Sequence, residues 1–315
     1  MESERCVVSC KNLEFGYNPE TRVLKGVNLI LPEGALGVIF GKSGDGKTTL
    51  LKCLMGYLTP TSGMIEWSAK EDDPTATQTD DWSGVGDRAI QLIGVWRELS
   101  KQKTNRRMGL RRRLLYTGRN PSLMVFADSS NALPQLTAEE NLRMALAPVC
   151  ADVTLRERAI SLLLEITDLE KVRSQKPQQL STGQLRRLCL AQSLAVNPRL
   201  LVWDEPTGGL DSATKYELIR FIQDLRSAVR LPGIIVTHDV ETALLLADVI
   251  FLFDDGRIAK TRSVDIPFPR SPQDLDGPGY RPLRVEMIRF LASESGVTGQ
   301  AGATIETSEM RKVST

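Results

Sequence analysis

A glycine-rich segment near the amino terminus has the residue types and spacing of a polyphosphate-binding loop. Gly41-Lys-Ser-Gly-Asp-Gly-Lys-Thr48 fits the pattern GxxxxGK[ST]. Its glycines let the backbone curl, so that backbone N–H groups and the start of a following helix face the phosphates. Lys47 is expected to reach the β and γ phosphates, and Thr48 to offer its hydroxyl to Mg²⁺. The segment predicts binding of a polyphosphate with Mg²⁺ through Gly41, Ser43, Gly44, Gly46, Lys47, Thr48 and Thr49.

Two adjacent carboxylates follow an apolar run farther along the chain. Leu200-Leu-Val-Trp203 predicts a buried strand that ends at Asp204 and Glu205. A strand tip beside a phosphate loop suits Asp204 for holding Mg²⁺ through water. Glu205 can orient or deprotonate an attacking water molecule. The pair therefore predicts hydrolysis of the bound nucleotide.

A third motif, Leu180-Ser-Thr-Gly-Gln184, precedes these carboxylates and resembles the signature sequence of ABC (ATP-binding cassette) ATPases. The resemblance implies that Ser181, Gly183 and Gln184 begin a helix and close over the γ-phosphate held by a partner subunit. A hydroxyl and backbone N–H groups at a helix N-terminus suit an anion. Thr182 stands where the family usually has glycine. The resemblance thus implies that the polyphosphate is ATP and that it lies between the subunits of a dimer.

The remaining elements of the resemblance follow in order. Gly208-Gly-Leu-Asp211 resembles the loop that communicates across the dimer, and Asp211 is its candidate binding residue. His238, the only histidine of the chain, resembles the switch histidine that contacts the γ-phosphate and is paired with Glu205 as a candidate catalytic residue. Tyr17 resembles the aromatic residue that stacks on adenine.

One family element is absent from its expected place. The family carries a glutamine between an apolar strand, here Leu123-Met-Val-Phe126, and the landmark Thr137-Ala-Glu-Glu-Asn141. The residues after the strand are Ala127 and Asp128, and Gln135 comes too late. That glutamine senses Mg²⁺ and the attacking water and transmits to the membrane subunit. Either Asp128 substitutes for it through a water molecule, or this protein couples hydrolysis to transport differently.

The elements that must position these residues are visible in the hydrophobic pattern. Alternation from Cys6 to Leu31 predicts an amino-terminal antiparallel β subdomain. Apolar runs alternate with helical spacing in the rest of the chain, which predicts a parallel sheet. The predicted fold class is α/β: a P-loop NTPase core with a parallel sheet, an amino-terminal antiparallel β subdomain and a helical signature subdomain.

The predicted domain organisation follows composition. Residues 1–260 form the ATPase domain, with a charged insertion at 68–120 and the helical subdomain at 137–195. Residues 261–315 form a Pro-, Gly- and Ser-rich extension that is expected to be largely flexible, with one amphipathic patch at 283–292.

Charge and cysteine usage limit the possible partners and the possible location of the chain. Forty basic and 39 acidic residues give a formal charge of +1, so no global field attracts nucleic acid or an anionic membrane. Five scattered cysteines without CxxC pairs indicate reduced thiols in a cytosolic compartment. The most apolar stretch, 243–253, is too short to span a bilayer. The expected location is cytoplasmic, peripheral at the cytoplasmic face of a membrane.

The segment from Arg97 to Arg119 holds nine basic residues and a single acidic one, Glu98. A solvated insertion is one interpretation, and contact with anionic lipid head groups or an acidic partner is another. Nucleic acid is not expected, because only Tyr116 interleaves an aromatic ring with the charges. The candidate head-group contacts are Arg106, Arg107, Arg111, Arg112 and Arg113.

The chain is identified on these motifs as resembling the ATP-binding subunit of an ABC transporter. Such a subunit dimerises with itself or a paralogous subunit and drives transmembrane subunits on other chains. Asp204–Asp211 and Thr137–Asn141 resemble the lipoprotein-release and macrolide-export group, while the tail near Arg284–Leu291 is similar to phospholipid-transport ATPases.

Two alternatives stay open. A soluble ABC protein acting on ribosomes or DNA usually carries two cassettes or a long coiled coil, whereas this chain has one P-loop and no sustained heptads. A regulatory subunit that binds ATP without hydrolysing it is suggested by Thr182 and the missing glutamine, and is opposed by Glu205 and His238.

Overall fold

Strands and helices alternate through most of the chain. The protein was analysed as a computed structural model that describes residues 6–18, 20–67, 123–126, 132–195, 198, 200–229 and 232–292. The strands are β1 (Cys6–Asn18), β2 (Thr21–Pro32), β3 (Leu36–Phe40), β4 (Ser62–Trp67), β5 (Leu123–Phe126), β6 (Leu201–Asp204), β7 (Gly233–Thr237), β8 (Val249–Asp254) and β9 (Arg257–Ser263). The α-helices are α1 (Lys47–Leu54), α2 (Ala138–Leu146), α3 (Val153–Ile166), α4 (Thr182–Ala195), α5 (Ser212–Val229), α6 (Val240–Leu246) and α7 (Arg281–Ala292). Single 3₁₀ turns lie at Glu170–Val172, Pro177–Gln179 and Pro272–Asp276.

The strands form two sheets. The smaller is antiparallel, with the order β2-β1-β4. The larger has the order β5-β6-β7-β3-β8-β9, in which β5 through β8 run parallel and β9 pairs antiparallel with β8. The predicted α/β class, with its antiparallel amino-terminal sheet and parallel core, is confirmed.

Strands β3, β6, β7 and β8 of the large sheet are buried on both faces, which explains why they are continuously apolar in sequence. Successive residues of β3 alternate between two cores: Val38 and Phe40 pack with the helices on one face, and Ile39 packs toward α1 and the small sheet on the other. In β8, Leu252 and Phe253 divide in the same way. The sheet is thus fixed in register, and its strand ends are held in place.

The Thr137–Asn141 landmark has a structural role. Thr137 and Glu140 form a reciprocal cap at the start of α2, with the Thr137 hydroxyl accepting from the Glu140 N–H at 3.2 Å and the Glu140 carboxylate accepting from the Thr137 N–H at 2.8 Å. Asn141 is fully buried. Its amide donates to the carbonyls of Leu133, Leu136 and Thr137, and its oxygen accepts from Gln192 of α4 at 3.3 Å. The landmark therefore fastens the entrance of α2 to the signature helix.

The carboxy-terminal extension packs against the core as far as residue 292. Arg270 is buried, and its guanidinium donates to the carbonyls of Leu244 and Ala247 at 3.0 and 2.5 Å, at the C-terminus of α6. The negative end of a helix dipole suits a cation there. Met287 of α7 also joins the core. Composition does not reveal this packing within 261–292, because Arg270 satisfies backbone carbonyls; the expectation of a largely flexible 261–315 extension stays a prediction.

Several predictions fall outside the described residues: the charged insertion with its arginine cluster, the segment of Ala127 and Asp128, and the tail beyond 292. The domain boundaries stay predictions. Among the described residues, no helix has both the length and the apolar character needed to cross a membrane.

Candidate functional site

The predicted phosphate, metal and catalytic residues meet at one edge of the large sheet. The P-loop follows β3, Asp204 ends β6, and His238 follows β7. These three parallel strands are neighbours in the order β6-β7-β3, so their carboxyl ends lie side by side. The crevice outside the carboxyl ends of parallel strands is where open α/β sheets bind ligands.

The P-loop requires glycine for reasons of backbone and space. Gly44 and Gly46 have φ of 95° and 105°, which side chains rarely adopt. A Cβ on Gly41 would lie 2.1 Å from the carbonyl oxygen of Phe253, and one on Gly46 would lie 2.8 Å from the Val23 side chain. The loop then enters α1 directly at Lys47. The turn therefore depends on these glycines and on the packing of β2 and β8 beneath it.

Lys47 is 5% exposed, and its ammonium lies inside the loop. It donates to the carbonyl of Gly41 at 2.8 Å and to that of Lys42. Burial lowers the pKa of Lys47, while the charges of Asp45, Glu205 and Asp204 act in the opposite direction. The P-loop thus encloses the Lys47 ammonium group.

Thr48 and Asp204 bring two oxygen ligands together. The Thr48 hydroxyl donates to a carboxylate oxygen of Asp204 at 2.7 Å. Burial raises the pKa of Asp204, and the Thr48 hydrogen bond opposes that rise. Hydroxyl and carboxylate oxygens suit Mg²⁺, which usually keeps waters and phosphate oxygens as its other ligands. Two protein oxygens supply only part of such a coordination shell, so the pair fits a metal whose other ligands are water and phosphate oxygens.

Glu205 is held at both carboxylate oxygens. One lies 2.7 Å from Nδ1 of His238, and the other accepts from the Thr237 hydroxyl at 3.0 Å. Its backbone has φ of 49°, in the left-handed region, and its N–H donates to the carbonyl of Val236 at 2.9 Å. A non-glycine residue in that region is uncommon and tends to persist where the surroundings enforce it. The carboxylate is thereby aimed at the strand edge beside Asp204.

The signature residues form a second cluster. The Ser181 hydroxyl accepts from the Gln184 N–H at 3.2 Å, and the Gln184 side chain accepts from the Ser181 N–H at 2.9 Å, which closes a cap at the start of α4. Gly183 packs on α5: a Cβ added there would lie 2.8 Å from the Thr214 methyl group. Thr214 in turn donates its N–H and hydroxyl to the carboxylate of Asp211 at 3.1 and 2.6 Å.

Tyr17 lies at the side of the P-loop helix. Its hydroxyl is 3.3 Å from the Thr49 hydroxyl, and the residue is 63% exposed. The Phe15 ring packs edge-on at 5.0 Å between centroids. An exposed ring fixed beside the start of α1 can stack on a planar base.

Two residues that were not predicted from the sequence, Thr237 and Arg186, belong to the same site. The Thr237 hydroxyl donates to Glu205, and the available signal was its place as the last residue of β7, directly before His238. Arg186, on α4, donates to the backbone of the loop that begins at Glu205. Its proximity to the signature was the available signal, but its carbonyl partners leave no pattern in a sequence.

Comparison with known proteins shows which family and which relatives the chain resembles. A profile of the ABC transporter family matches residues 24–208. The aliphatic sulfonates import ATP-binding protein SsuB of Rhodopseudomonas palustris is 32% identical over 256 residues, covering 81% of this chain and 73% of that protein.

The bicarbonate transport ATP-binding protein CmpC of Synechococcus elongatus is 28% identical over 300 residues, which is 92% of this chain and 39% of that protein. The chain thus spans about two fifths of the length of that relative. Among solved structures, the dimeric ATP-binding cassette MJ0796 in a post-hydrolysis state with ADP and Pi is similar at a TM-score of 0.56 and 25% identity, covering 81% of this chain and 98% of that one.

Proposed function

The chain belongs to the ABC transporter family, and on that premise we propose that it is the ATP-hydrolysing subunit of a transporter. Two such subunits close around two molecules of Mg-ATP and drive membrane-spanning subunits carried on other chains. The observation that carries the proposal is the meeting of Lys47, Thr48, Asp204, Glu205 and His238 at the carboxyl ends of three adjacent strands.

Binding of ATP follows from the P-loop geometry. The N–H groups from Gly41 to Thr49 and the N-terminus of α1 face the phosphates, and the Lys47 ammonium exchanges its carbonyl partners for phosphate oxygens. The exposed Tyr17 ring stacks on adenine. Thr48 and Asp204 would hold Mg²⁺, Asp204 through a water molecule. That ion, when bound, neutralises charge that develops on the phosphates.

Hydrolysis follows from the Glu205 geometry. Glu205 orients a water molecule and accepts its proton as the water oxygen attacks the γ-phosphorus. The bond from that phosphorus to the β-phosphate oxygen breaks, and ADP and phosphate leave. His238, whose Nδ1 lies 2.7 Å from one carboxylate oxygen of Glu205, contacts the γ-phosphate. The Thr237 hydroxyl donates to the second carboxylate oxygen of Glu205. This fixed pair favours a hydrolysing subunit over a regulatory one that only binds ATP.

The second cluster acts across the dimer. Ser181, Gly183 and Gln184 present a hydroxyl and N–H groups at the start of α4, which suits the γ-phosphate bound by the opposite subunit. Asp211 accepts a hydrogen bond from Thr214, which packs against Gly183, and it belongs to the loop that faces the partner. The partner subunit is a second copy or a paralogous ATPase.

Location and further contacts belong to the same proposal. A nucleotide-binding subunit that drives membrane subunits works at the cytoplasmic face of the membrane. Arg106, Arg107, Arg111, Arg112 and Arg113 would add contacts with anionic lipid head groups there, each supplying about 1 kcal/mol near such a surface.

The test is Glu205→Gln in the full chain. The amide keeps the shape of the carboxylate and cannot accept the proton, so ATP binding is expected to survive, turnover to stop, and an ATP-bound dimer to accumulate in size-exclusion chromatography. Glu170→Gln, which changes an exposed carboxylate paired with Arg173, is the matched control and keeps wild-type turnover. Near-normal hydrolysis by Glu205→Gln would overturn the proposed function of this site.

A further inference from the structure

We propose that Arg186 is a positioning residue that ties the signature of each subunit to the catalytic glutamate of the same subunit, and thereby links the two ATP sites of the dimer. The inference rests on the proposed function. It concerns how the two clusters described above are joined, a link that neither the P-loop nor the signature motif contains.

The contacts of Arg186 span the start of the catalytic loop. Its guanidinium donates through Nη1 to the carbonyl of Glu205 at 3.2 Å and to that of Pro206, and through Nη2 to the carbonyl of Gly208. A planar guanidinium with several fixed donors can fasten a turn of backbone in this way, whereas an ammonium is a point charge. The residue that it holds, Glu205, has the left-handed backbone that needs outside support.

The environment of Arg186 fits positioning better than general stabilisation. Burial lowers the pKa of its guanidinium, and the Glu205 charge opposes that shift. Its Nε atom is buried without a hydrogen-bond partner, as is that of its neighbour Arg187, and such a donor costs stability. The two arginines differ in what their other donors bind: those of Arg187 bind side-chain carboxylates, whereas those of Arg186 bind the backbone of the loop that begins at Glu205.

The first turn of α4 holds the far end of the same loop as well. Gly183 packs against Thr214, which is hydrogen-bonded to Asp211. The loop from Glu205 to Asp211 is therefore fastened at its start by Arg186 and at its end through Gly183. Both fasteners lie within five residues of Ser181, at the tip of one helix.

The consequence is a mechanical link between sites. When Ser181 and Gly183 bind the γ-phosphate of the opposite subunit, the N-terminus of α4 is fixed. Because Arg186 lies at the start of the next turn of the same helix, the Glu205 backbone of the same subunit is fixed with it. Each subunit thus senses the nucleotide across the dimer and aligns its own base in response, which makes hydrolysis cooperative in ATP.

The test compares Arg186→Gln and Arg186→Lys with Arg187→Gln in the full chain. Arg187 is the adjacent, mostly buried arginine of the same helix, but its partners are the carboxylates of Asp168 and Glu217 at 3.1 and 3.7 Å. We expect Arg186→Gln to lower kcat about ten- to a hundredfold, to shift the ATP affinity in calorimetry less than about twofold because no phosphate contact is lost, and to bring the Hill coefficient for ATP toward one. Arg186→Lys should fall between, since it keeps the charge without the planar fork.

Arg187→Gln is expected to lower the unfolding temperature while kcat and cooperativity stay within about twofold of wild type. If Arg186→Gln does not fold, Arg186→Lys carries the same comparison. Equal kcat and Hill coefficients for the Arg186 and Arg187 variants would overturn the link and leave the proposed function standing. Undiminished turnover in Glu205→Gln would remove the proposed function itself, so the two failures are distinguishable.

Discussion

The site works at the scale of single residues because a few polar groups are buried with fixed partners. The Lys47 ammonium is enclosed by carbonyls of its own loop. Both carboxylate oxygens of Glu205 have hydrogen-bond partners, Thr237 and His238. Groups held in this way need little reorganisation when charge develops in a transition state. The burial of Lys47 also means that its positive charge is poorly screened by solvent and acts strongly on a nearby phosphate.

Lys47→Ala tests this at the binding step. Removing the charge from the phosphate cradle is expected to weaken ATP affinity about ten- to a hundredfold, as loss of a charge-assisted contact does. Titration calorimetry with ATP measures it. Lys11→Ala removes an exposed lysine paired with Glu66 on the small sheet and should leave the affinity unchanged. An unaltered affinity in Lys47→Ala would exclude this loop as the nucleotide site.

Residue types and spacing predicted the P-loop, Asp204 and Glu205, because phosphate and metal chemistry accepts few side chains at these positions, and the family resemblance added His238. The structure brings these residues together at one edge of the sheet. Thr237 and Arg186 escaped that reasoning. Their partners are a carboxylate from another strand and backbone carbonyls from another loop. Such tertiary contacts depend on folding, and a single sequence carries no pattern for them.

At the scale of elements, a clasp joins α5 to α6 behind the catalytic edge. Lys215 of α5 donates to Asp239 at 3.0 Å and to Glu241 at 2.6 Å, and the Tyr216 hydroxyl donates to Glu241 at 2.8 Å. Asp239 also caps α6 through the N–H and hydroxyl of Thr242. Since Asp239 directly follows His238, the clasp fixes the direction in which the chain leaves His238.

The clasp should make stability depend on pH. Burial tends to raise the pKa of Asp239 and Glu241, but hydrogen bonds from Thr242, Lys215 and Tyr216 outweigh it and hold both pKa values below their usual range. A depressed carboxyl pKa stabilises the folded state above the unfolded pKa of about 4 and loses that contribution as pH falls. For Lys215, burial is outweighed by the same two carboxylates, so its pKa is raised and its contribution is complete below about pH 10.

Lys215→Met is therefore expected to lower the free energy of unfolding by about 1–3 kcal/mol at pH 7, and the deficit should shrink on acidification below about pH 4. Urea unfolding at both pH values measures this. Lys260→Met removes a lysine that is 56% exposed and paired with Glu286, and should cost less than about 1 kcal/mol. A deficit that is independent of pH would show that Lys215 acts by packing and not through the two carboxylates.

Element types followed from the sequence more closely than element contacts did. The strand runs were foreseen because apolar continuity marks strands buried on both faces. The packing of 261–292 was not foreseen. The guanidinium of Arg270 donates to carbonyls at the end of α6. The side chain of Gln223 on α5 accepts from the Arg270 N–H at 2.8 Å and donates to the Arg270 carbonyl at 3.0 Å. A Pro- and Ser-rich composition carries no sign of such docking.

At the scale of the whole molecule, the proposed dimer divides the work of the two clusters between its subunits. In that proposal the catalytic edge acts within one chain, while the start of α4 offers its donors to the opposite ATP. Arg186 and the Gly183–Thr214 contact join them. A dimer of this kind can transmit closure to a membrane partner only through a surface that moves with the nucleotide site. The sequence predicts that the segment after β5 takes this role, and β5 itself ends at Phe126, which pairs in register with Asp204.

That segment begins with Ala127 and Asp128, where the family carries a glutamine. Mg-ATP binding is expected to survive without it, since Lys47, Thr48 and Asp204 supply the principal phosphate and metal contacts. Hydrolysis should be slow in the isolated chain, because a polar group that positions water commonly contributes a factor of about ten to a thousand in rate. Ala127→Gln should then raise turnover, or increase the stimulation given by the membrane subunits.

The competing interpretation is that Asp128 performs the same task through a water molecule. In that case Asp128→Ala should lower turnover about tenfold or more, and Ala127→Gln should change little, because the position would already be served. ATPase rates of both variants, with and without the membrane partner, separate the two interpretations. Ser129→Ala, which alters a neighbouring polar residue of the same segment, controls for general disturbance. If neither Ala127→Gln nor Asp128→Ala alters either rate, this segment does not couple hydrolysis to transport, and the coupling must pass through another surface of the helical subdomain.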